Sequence, residues 1–336
     1  MYKYNEIKNI HLEITEKCNS KCSLCPRYRS DGKINFNLKN RDLTINDIKK
    51  IFSDDIFLQQ IQTISFCGNY GDPICNNDLL EILHFFRNKN KNIYLKLHTN
   101  GSLRSKSFWE ELAKVATDVT FSIDGLEDTN HIYRQNTSYS KIIKNAKTFI
   151  QAGGYAVWDY IVFRHNEHQV EKAETLSKEL GFKKFIIKKT SRIDRILENH
   201  NYLKNPLNKK YRNLAGINID YKNIEKYLNE VNIDCFFGKQ SSIYISAEGL
   251  LFPCCWLGLS FNYDEHTVED LQKIKKIFKD KKIFNAKYNS IQYILEKTYF
   301  EKIKQSWKIK TIQNGKIKTC SYYCSDKNNV YINQTN

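Results

Sequence analysis

Short hydrophobic runs alternate with longer amphipathic segments along the first 190 residues. The runs have the length and β-branched content of buried strands, and they span residues 10–15, 63–66, 93–98, 119–124, 157–163 and 184–188. The segments between them repeat apolar residues at i, i+3 and i+4, as helices do. One of these segments contains Leu79, Ile82, Leu83 and Phe86, and another begins at Thr44, where Asp47 three residues later completes a capping box. The pattern therefore predicts six β-then-α units.

Repeated β-then-α units place their strands in parallel, with helical crossovers between them. Six units are too few for a closed eight-stranded barrel, so the sequence predicts an α/β fold that is either an open partial barrel or an open sheet. In both architectures ligands bind at the carboxyl ends of the strands, where the following loops meet. We expect this domain to cover residues 1–195.

The alternation ends near residue 192. Residues 196–232 are predicted to be a linker or bridging segment, since this stretch is polar and contains Pro206. A second, smaller α+β domain is expected over residues 233–336. It should contain a strand pair at 242–246 and 250–253, joined at Gly249, and then one long basic helix with Ile291, Ile294 and Ile303 on its buried face.

Composition narrows the class of protein. The 336 residues include 53 Lys and Arg against 37 Asp and Glu, a net charge of +16, and mean hydropathy is −0.59. The sequence contains no apolar run long enough to span a membrane and no signal-peptide pattern, so we expect a cytoplasmic protein. The charge is compatible with an anionic partner, nucleic acid included, although no nucleic-acid motif accompanies it. In a reducing compartment, ten cysteines indicate metal ligation or redox chemistry.

Three of these cysteines, Cys18, Cys22 and Cys25, follow the first predicted strand with the spacing CxxxCxxC. A structural zinc site needs four ligands, and this loop offers only three. Three thiolates suit a [4Fe–4S] cluster that leaves one iron open to a small molecule. Zinc, or thiols that bind no metal, are the alternatives.

On this motif the sequence resembles the radical S-adenosylmethionine (radical SAM) superfamily. One departure is Leu24, where an aromatic residue commonly precedes the third cysteine. The resemblance extends to residues 71–73, Gly-Asp-Pro, which match the Gly-Gly-Glu-Pro motif with Asp for Glu, and Tyr70 takes the place of the first glycine. It implies a partial (β/α)6 barrel that binds S-adenosylmethionine at a [4Fe–4S] cluster.

The resemblance also implies which residues surround S-adenosylmethionine. The loop at Asp72 should face the methionine ammonium, and Leu24 should contact the adenine. Polar groups at the ends of the third to fifth strands should reach the ribose or the methionine carboxylate. The expected contacts are Leu24, Tyr70, Gly71, Asp72, Asn100, Ser122, Asp124, Arg134 and Arg164.

A second cysteine group lies in the predicted second domain. Cys235, Gly249 and Cys254 reproduce the spacing Cys-x(9–15)-Gly-x4-Cys, which resembles the start of the SPASM and twitch extensions of this superfamily. With Cys320 and Cys324 they could ligate one auxiliary [4Fe–4S] cluster, as in a one-cluster, twitch-like domain. Four thiolates also suit zinc. Of the remaining cysteines, Cys67 and Cys75 are expected to be buried apolar residues, and Cys255 could replace Cys254 as a ligand or lie near the active site.

The resemblance implies an enzyme that cleaves S-adenosylmethionine reductively to a 5′-deoxyadenosyl radical, which abstracts hydrogen from a substrate. Relatives with such extensions mostly modify peptides or proteins. Because the basic surface also favours an acidic partner, a peptide or peptide-like substrate is preferred here. An electron donor such as flavodoxin or ferredoxin is the expected partner. The alternatives are oxidation of a small molecule, modification of a nucleotide or RNA, and a zinc-stabilised protein that binds nucleic acid.

Overall fold

The computed structural model describes residues 3–29, 31–188, 190, 203–211, 223–262, 268–278 and 280–327. Of the expected linker, residues 203–211 and 223–232 are within this set and the remainder lies outside the described residues.

Six parallel strands form the sheet that the sequence predicts. They are β1 (Asn9–Leu12), β2 (Thr63–Phe66), β3 (Tyr94–Thr99), β4 (Asp118–Ser122), β5 (Ala156–Ile161) and β6 (Lys184–Lys188). Each strand pairs in parallel with the next along the chain, from Asn9 opposite Thr63 to Ile161 opposite Lys188. The α/β fold with a partial barrel of parallel strands is therefore confirmed.

Helices connect these strands and cover one face of the sheet. They are α1 (Ile45–Ile51), α2 (Asp55–Gln60), α3 (Leu79–Lys89), α4 (Lys106–Val115), α5 (Asn130–Tyr133), α6 (Tyr139–Gln151) and α7 (Val170–Glu179). The predicted start of α1 is confirmed: Thr44 accepts a hydrogen bond from the Asp47 backbone, and the Asp47 carboxylate accepts one from the Thr44 backbone.

The two faces of the sheet differ in polarity. At alternate positions of each strand the side chain points towards the helices. Examples are Leu12, Phe66, Leu97 and Phe121, which are all fully buried. Each such side chain contributes roughly 2–3 kcal/mol of hydrophobic stabilisation. The opposite, inner face carries polar residues, among them His11, Ser65, Lys96, His98 and Asp159. The fold thus has a polar concave wall.

The hairpin of the C-terminal part joins the same sheet. Strand β7 (Ser242–Ile245) pairs in parallel with β1, with Asn9 opposite Ser242, and β8 (Leu251–Phe252) pairs with β7 in the antiparallel sense. The sheet therefore has eight strands in the order β6-β5-β4-β3-β2-β1-β7-β8. The turn between β7 and β8 places Gly249 at φ +90°, a conformation that favours glycine, as the sequence predicts.

The remaining helices belong to the C-terminal part of the chain. They are α8 (Ile224–Glu230), α9 (Phe236–Lys239), α10 (Cys255–Asn262), α11 (Val268–Ile277), α12 (Ile291–Glu296), α13 (Tyr299–Ser306) and α14 (Lys318–Tyr323). Two of them, α9 and α10, contact this hairpin. No helix of the described residues has both the length and the apolar character needed to cross a lipid bilayer.

The expectation of one long basic helix through residues 291–303 is wrong. The chain leaves the helical conformation at Lys297, which is extended (φ −73°, ψ 154°), and α13 begins after it. Ile291, Ile294 and Ile303 are nevertheless all buried, because the break reorients a second helix onto the same core. The periodic pattern identified the buried face but not the break within it.

Candidate functional site

The three cysteines of the CxxxCxxC motif lie in a tight loop beyond the carboxyl end of β1. Two successive turns shape this loop, since Cys25 N donates to Cys22 O (3.0 Å) and Tyr28 N donates to Cys25 O (3.0 Å). Cys22 is buried, and Cys18 and Cys25 are half-buried. Burial and the nearby Asp72, Cys25 and Cys22 raise the pKa of the Cys18 thiol. The three sulfurs are therefore close enough for their charges to interact.

Polar groups lie within hydrogen-bond distance of two of these sulfurs. Ser20 N lies 3.4 Å from Cys18 Sγ, and Ser20 Oγ lies 3.0 Å from Cys22 Sγ. Asn100 Nδ2, from the loop after β3, lies 3.9 Å from Cys18 Sγ and donates to Asn19 Oδ1 at 3.0 Å. Donors that face sulfur stabilise the thiolate, the form that ligates iron.

Asp72 fastens the loops after β2 and β3 to each other. Its Oδ1 accepts from Thr99 Oγ1 (2.8 Å), and its Oδ2 accepts from Asn100 N (2.7 Å). Asp72 N donates to Lys17 O (2.9 Å), next to Cys18. Burial raises the pKa of this carboxyl, and the hydrogen bonds from Asn100 and Thr99 oppose the rise. The structure thus brings Asp72, Asn100 and the first cysteine together.

Arg134 and Asp124 form a buried pair beside Cys22. Arg134 Nε donates to Asp124 Oδ2 at 2.6 Å, and Arg134 Nη1 lies 3.7 Å from Cys22 Sγ. Asp124 Oδ1 accepts from Ile161 N at 2.6 Å, so both carboxylate oxygens are engaged. Burial raises the pKa of Asp124, and Arg134 opposes that rise. The guanidinium therefore faces both a carboxylate and a cysteine sulfur.

Leu24 belongs to a small apolar cluster next to these thiols. It is 7% exposed and shares the cluster with Cys22, Tyr133, Phe163 and Leu203. The rings of Tyr133 and Phe163 are 4.9 Å apart. Position 24 is commonly aromatic in the family but is leucine here. Tyr133 on α5 and Phe163 after β5 supply aromatic rings next to it.

Ser122 and Arg164 are the two remaining residues that the sequence predicts to contact S-adenosylmethionine. Ser122 is half-buried at the end of β4, opposite Asp159 in the register. Arg164 is exposed, and its Nε donates to Asn205 O at 3.4 Å. In the described residues, Arg134 is thus the arginine that contacts a cysteine of the motif, and Arg164 is bonded to the segment at residues 203–211.

Glu13 is a site residue that was not predicted from the sequence. It lies between β1 and the cysteine loop and is 2% exposed. Its Oε1 accepts from Tyr70 N (2.9 Å) and Gly71 N (3.2 Å), and its Oε2 accepts from the Tyr244 hydroxyl of β7. Burial raises the pKa of Glu13 to about 7, and these hydrogen bonds oppose the rise. The available signal was a carboxylate within an otherwise apolar strand pattern.

The loop that carries Tyr70 and Gly71 is also bonded to the C-terminal part. Asn69 Nδ2 donates to Cys255 O (2.9 Å) and to the Tyr244 hydroxyl (3.2 Å), and the Tyr70 hydroxyl donates to Leu259 O (3.2 Å). On its other side the loop is in close contact with the cysteine loop, since a Cβ on Gly71 would come within 1.9 Å of Thr15 O. Only glycine fits there.

The four cysteines of the second group line one apolar cavity in the C-terminal part. Trp256, Trp307 and Tyr323 also border this cavity, whose cysteines are Cys235, Cys254, Cys320 and Cys324. The Cys324 thiol donates to the Cys235 sulfur, which lowers the pKa of Cys235 and raises that of Cys324. Burial and the neighbouring thiols raise the pKa of Cys254. Residues 89 positions apart in sequence therefore meet at one place.

The other cysteines differ from expectation in part. Cys67 and Cys75 are half-buried rather than buried, because both lie in loops at the carboxyl edge of the sheet. Cys75 borders an open cavity of about 900 Å³ together with Cys18, Lys17, Arg27 and Arg104. Cys255 is buried and begins α10, while its neighbour Cys254 lines the four-cysteine cavity.

The donors at both places are cysteine thiols, which as thiolates ligate either iron–sulfur clusters or zinc. Among the described residues, no three His, Cys, Asp or Glu side chains are placed to hold a single metal ion. At the first site, the Cys18 sulfur accepts from a backbone N–H and the Cys22 sulfur lies beside the Arg134 guanidinium, and both contacts compensate thiolate charge. The residues present therefore fit a cluster ligated by three cysteines.

Comparison with known proteins identifies the first of these regions. Residues 12–178 match the model of the radical SAM superfamily. The matched region includes all three cysteines of the motif together with Asp72, Asn100, Asp124 and Arg134. The family implies an enzyme with an S-adenosylmethionine site and a [4Fe–4S] cluster.

A relative from Pyrococcus furiosus is described as a tungsten-containing aldehyde ferredoxin oxidoreductase cofactor-modifying protein. It is 27% identical over 127 residues, which are 38% of this chain and only 33% of that relative's length.

Two solved structures resemble the whole fold. The structure of anSMEcpe with bound AdoMet has a TM-score of 0.55 at 18% identity and covers 90% of this chain and 81% of that one. SuiB of Streptococcus suis bound to the precursor peptide SuiA has a TM-score of 0.53 at 15% identity and covers 86% and 76%. At these identities the likeness shows the fold alone.

Proposed function

We propose that this protein is a radical SAM enzyme that modifies a peptide or protein. The observation that carries the proposal is the position of Cys18, Cys22 and Cys25, at a carboxyl strand end within the radical SAM domain and in contact with Asn100 and Arg134. These three cysteines would hold a [4Fe–4S] cluster. When bound, such a cluster supplies one electron that cleaves S-adenosylmethionine to a 5′-deoxyadenosyl radical, the species that removes hydrogen from the substrate.

Each neighbouring residue then has a role that follows from its contacts. The loop of Tyr70, Gly71 and Asp72 would bind the methionine ammonium through backbone carbonyls and a carboxylate, while Glu13 fixes the loop's N–H groups. Leu24, with Tyr133 and Phe163, would form the apolar wall for the adenine.

Arg134 would compensate thiolate charge at Cys22 rather than bind the methionine carboxylate, because Asp124 already engages its Nε. Asn100 would position Asn19 and Cys18, since its amide donates to Asn19 and lies beside the Cys18 sulfur. Ser122 and Arg164 remain candidates for the ribose and the carboxylate.

We also propose that Cys235, Cys254, Cys320 and Cys324 hold one auxiliary [4Fe–4S] cluster. Their convergence on one cavity supports a four-ligand site. This domain would then be the twitch-like extension, which begins near residue 233. Zinc is the alternative occupant, because tetrahedral thiolate ligation serves both metals.

A peptide substrate is supported by the net charge of +16, which favours an acidic partner, and by the likeness to structures that contain peptides. The likeness to the cofactor-modifying protein of Pyrococcus furiosus favours a second candidate, a small molecule or cofactor as substrate. Nucleic-acid binding stays a prediction from charge alone. The electron donor would be an acidic flavodoxin or ferredoxin, for which Lys17 and Arg104 offer positive charge beside Cys18.

The test is anaerobic reconstitution followed by reduction in the presence of S-adenosylmethionine. We expect about eight irons and eight sulfides per chain, as two four-iron clusters require, and release of 5′-deoxyadenosine measured by chromatography and mass spectrometry. Cys22→Ser should abolish the nucleoside and remove about half of the iron, whereas Cys67→Ala should leave both unchanged. Fully loaded wild type that forms no 5′-deoxyadenosine would refute the proposal.

A further inference from the structure

The polar inner wall of the sheet carries a charged group that the radical SAM site does not use. It consists of Lys96 on β3, Asp159 on β5 and Lys188 on β6. Lys188 Nζ lies 3.6 Å from Asp159 Oδ2. Burial raises the pKa of Asp159 to about 6, and the positive charges of Lys188 and Lys96 oppose this rise. The three side chains therefore interact electrostatically across the concave face.

Asp159 retains an unused acceptor in this group. The residue is 7% exposed, and its Oδ1 is fully buried with no hydrogen-bond donor among the described residues. A buried carboxylate oxygen without a donor is costly, so native structures rarely leave one without a purpose. This atom is placed to accept a hydrogen bond from a bound N–H or O–H group.

Lys96 retains an unused positive charge. It is half-buried, and in the described part of the chain its ammonium makes no hydrogen bond or ion pair. The carboxylate opposite it in the register, Asp118, accepts instead from the Tyr94 hydroxyl at 2.6 Å. Lys96 and Lys188 both act on the charge of Asp159, and the Lys96 ammonium, which forms no ion pair in the described residues, is placed to receive an anion.

The neighbouring histidines do not change this charge balance at neutral pH. Burial and the two lysines lower the pKa of His98 to about 3, and burial lowers that of His11 to about 4. Both rings are therefore neutral, and the charged groups of this part of the wall are Lys96, Lys188, Asp118 and Asp159.

The group lies next to the radical SAM site. Asp159 is opposite Ser122 in the β4–β5 register, and two residues beyond Ser122 is Asp124, which holds Arg134 beside Cys22. A ligand bound to Asp159 would therefore lie close to Asp124 and Arg134, the residues beside Cys22.

We propose that Lys96, Asp159 and Lys188 form the substrate-recognition site, and that it takes an anionic group adjacent to an N–H or O–H donor, as in an acidic residue of a peptide. The inference rests on the proposed function. The substrate carboxylate would pair with Lys96, and the adjacent backbone N–H would donate to Asp159 Oδ1, while Lys188 holds Asp159 in place. A small hydroxy acid presents the same two groups, so the experiment separates these sources.

The test uses reconstituted full-length protein with S-adenosylmethionine and two random peptide pools that differ only in a fixed central Glu or Gln. We expect wild type to retain the Glu pool about tenfold better, as a charge-assisted hydrogen bond provides. Lys96→Gln should bring the two pools to parity. Lys184→Gln, which changes an exposed lysine on the same face of β6, should keep the preference. Malate serves as the small hydroxy acid.

Retention of the Glu pool that depends on Lys96 supports a peptide substrate, and binding of malate alone that depends on Lys96 supports the same site for a small hydroxy acid. Equal retention of both pools with no malate binding, or a preference that survives Lys96→Gln, overturns the proposal. The far-ultraviolet circular dichroism and the iron content of Lys96→Gln should equal those of wild type, which shows that the variant folds. Wild type should also form 5′-deoxyadenosine on reduction. Its absence from wild type would instead mark failure of the proposed function.

Discussion

Arg134 donates from Nε to the fully buried Asp124 at 2.6 Å, and the same guanidinium lies 3.7 Å from the sulfur of Cys22. The pair therefore links the end of β4 to the cysteine loop.

Arg134→Met should destabilise the fold by about 3–5 kcal/mol, because it leaves the Asp124 carboxylate buried without its cation. Anaerobic urea unfolding measures the change. Adding Asp124→Asn to Arg134→Met should restore part of the loss, since the uncompensated charge is then removed. Arg164→Met is the matched control, and it should cost no more than about 0.5 kcal/mol because Arg164 is exposed. Equal losses for the two arginine variants would contradict this account.

Glu13 should make stability depend on pH. Its pKa rises from 4.5 to about 7 on folding, so the folded state holds the proton more tightly than the unfolded chain does. Stability contributed by protonated Glu13 is therefore lost as pH rises from about 4.5 to 7. Relative to Glu13→Gln, wild type should lose about 2 kcal/mol of unfolding free energy between pH 5 and pH 8.

The measurement is urea unfolding of both proteins across this pH range. Tyr244→Phe provides a second check, because the Tyr244 hydrogen bond lowers the pKa of Glu13 and its loss should raise that pKa further. If the stability of wild type and of Glu13→Gln changes with pH in the same way, then Glu13 has the same pKa in the folded and the unfolded chain. That outcome would contradict the prediction.

Gly71→Ala should abolish binding of S-adenosylmethionine, because the new Cβ would overlap Thr15 O at 1.9 Å and displace the loop that carries Asp72. Equilibrium binding of S-adenosylmethionine to the reconstituted protein measures the effect. Gly153→Ala is the control. Its Cβ meets nothing within 4 Å, so it should lose only about 1 kcal/mol for a left-handed backbone and bind normally. Normal binding by Gly71→Ala would exclude this loop from the site.

Cys254→Ser and Cys255→Ser should differ in metal content although the residues are adjacent. Cys254 lines the four-cysteine cavity, so its loss should remove about four irons per chain if that cavity holds a cluster. Cys255→Ser should retain them. Iron, zinc and sulfide analysis of both variants distinguishes a cluster from zinc, and an equal loss from both would reject the assignment of Cys254 alone.

Local patterns were sufficient for the six parallel strands, for the capped start of α1 and for the turn at Gly249. They failed at Lys297, where an apolar stripe continues across a helix break, because periodicity records which face is buried and not the direction of the axis. Glu13 was missed for a related reason: strand propensity gives no information about which distant groups will satisfy a buried carboxylate.

The sequence by itself determined that three thiols follow the first strand, since their spacing is set within eight residues of chain. Tertiary structure decided what surrounds them: Asn100 reaches Cys18 across 82 positions, and Arg134 reaches Cys22 across 112. It also decided that β7 pairs with β1 and that Lys96, Asp159 and Lys188 share one wall. Contacts between segments so far apart depend on how strands align and pack, which no local pattern of residues specifies.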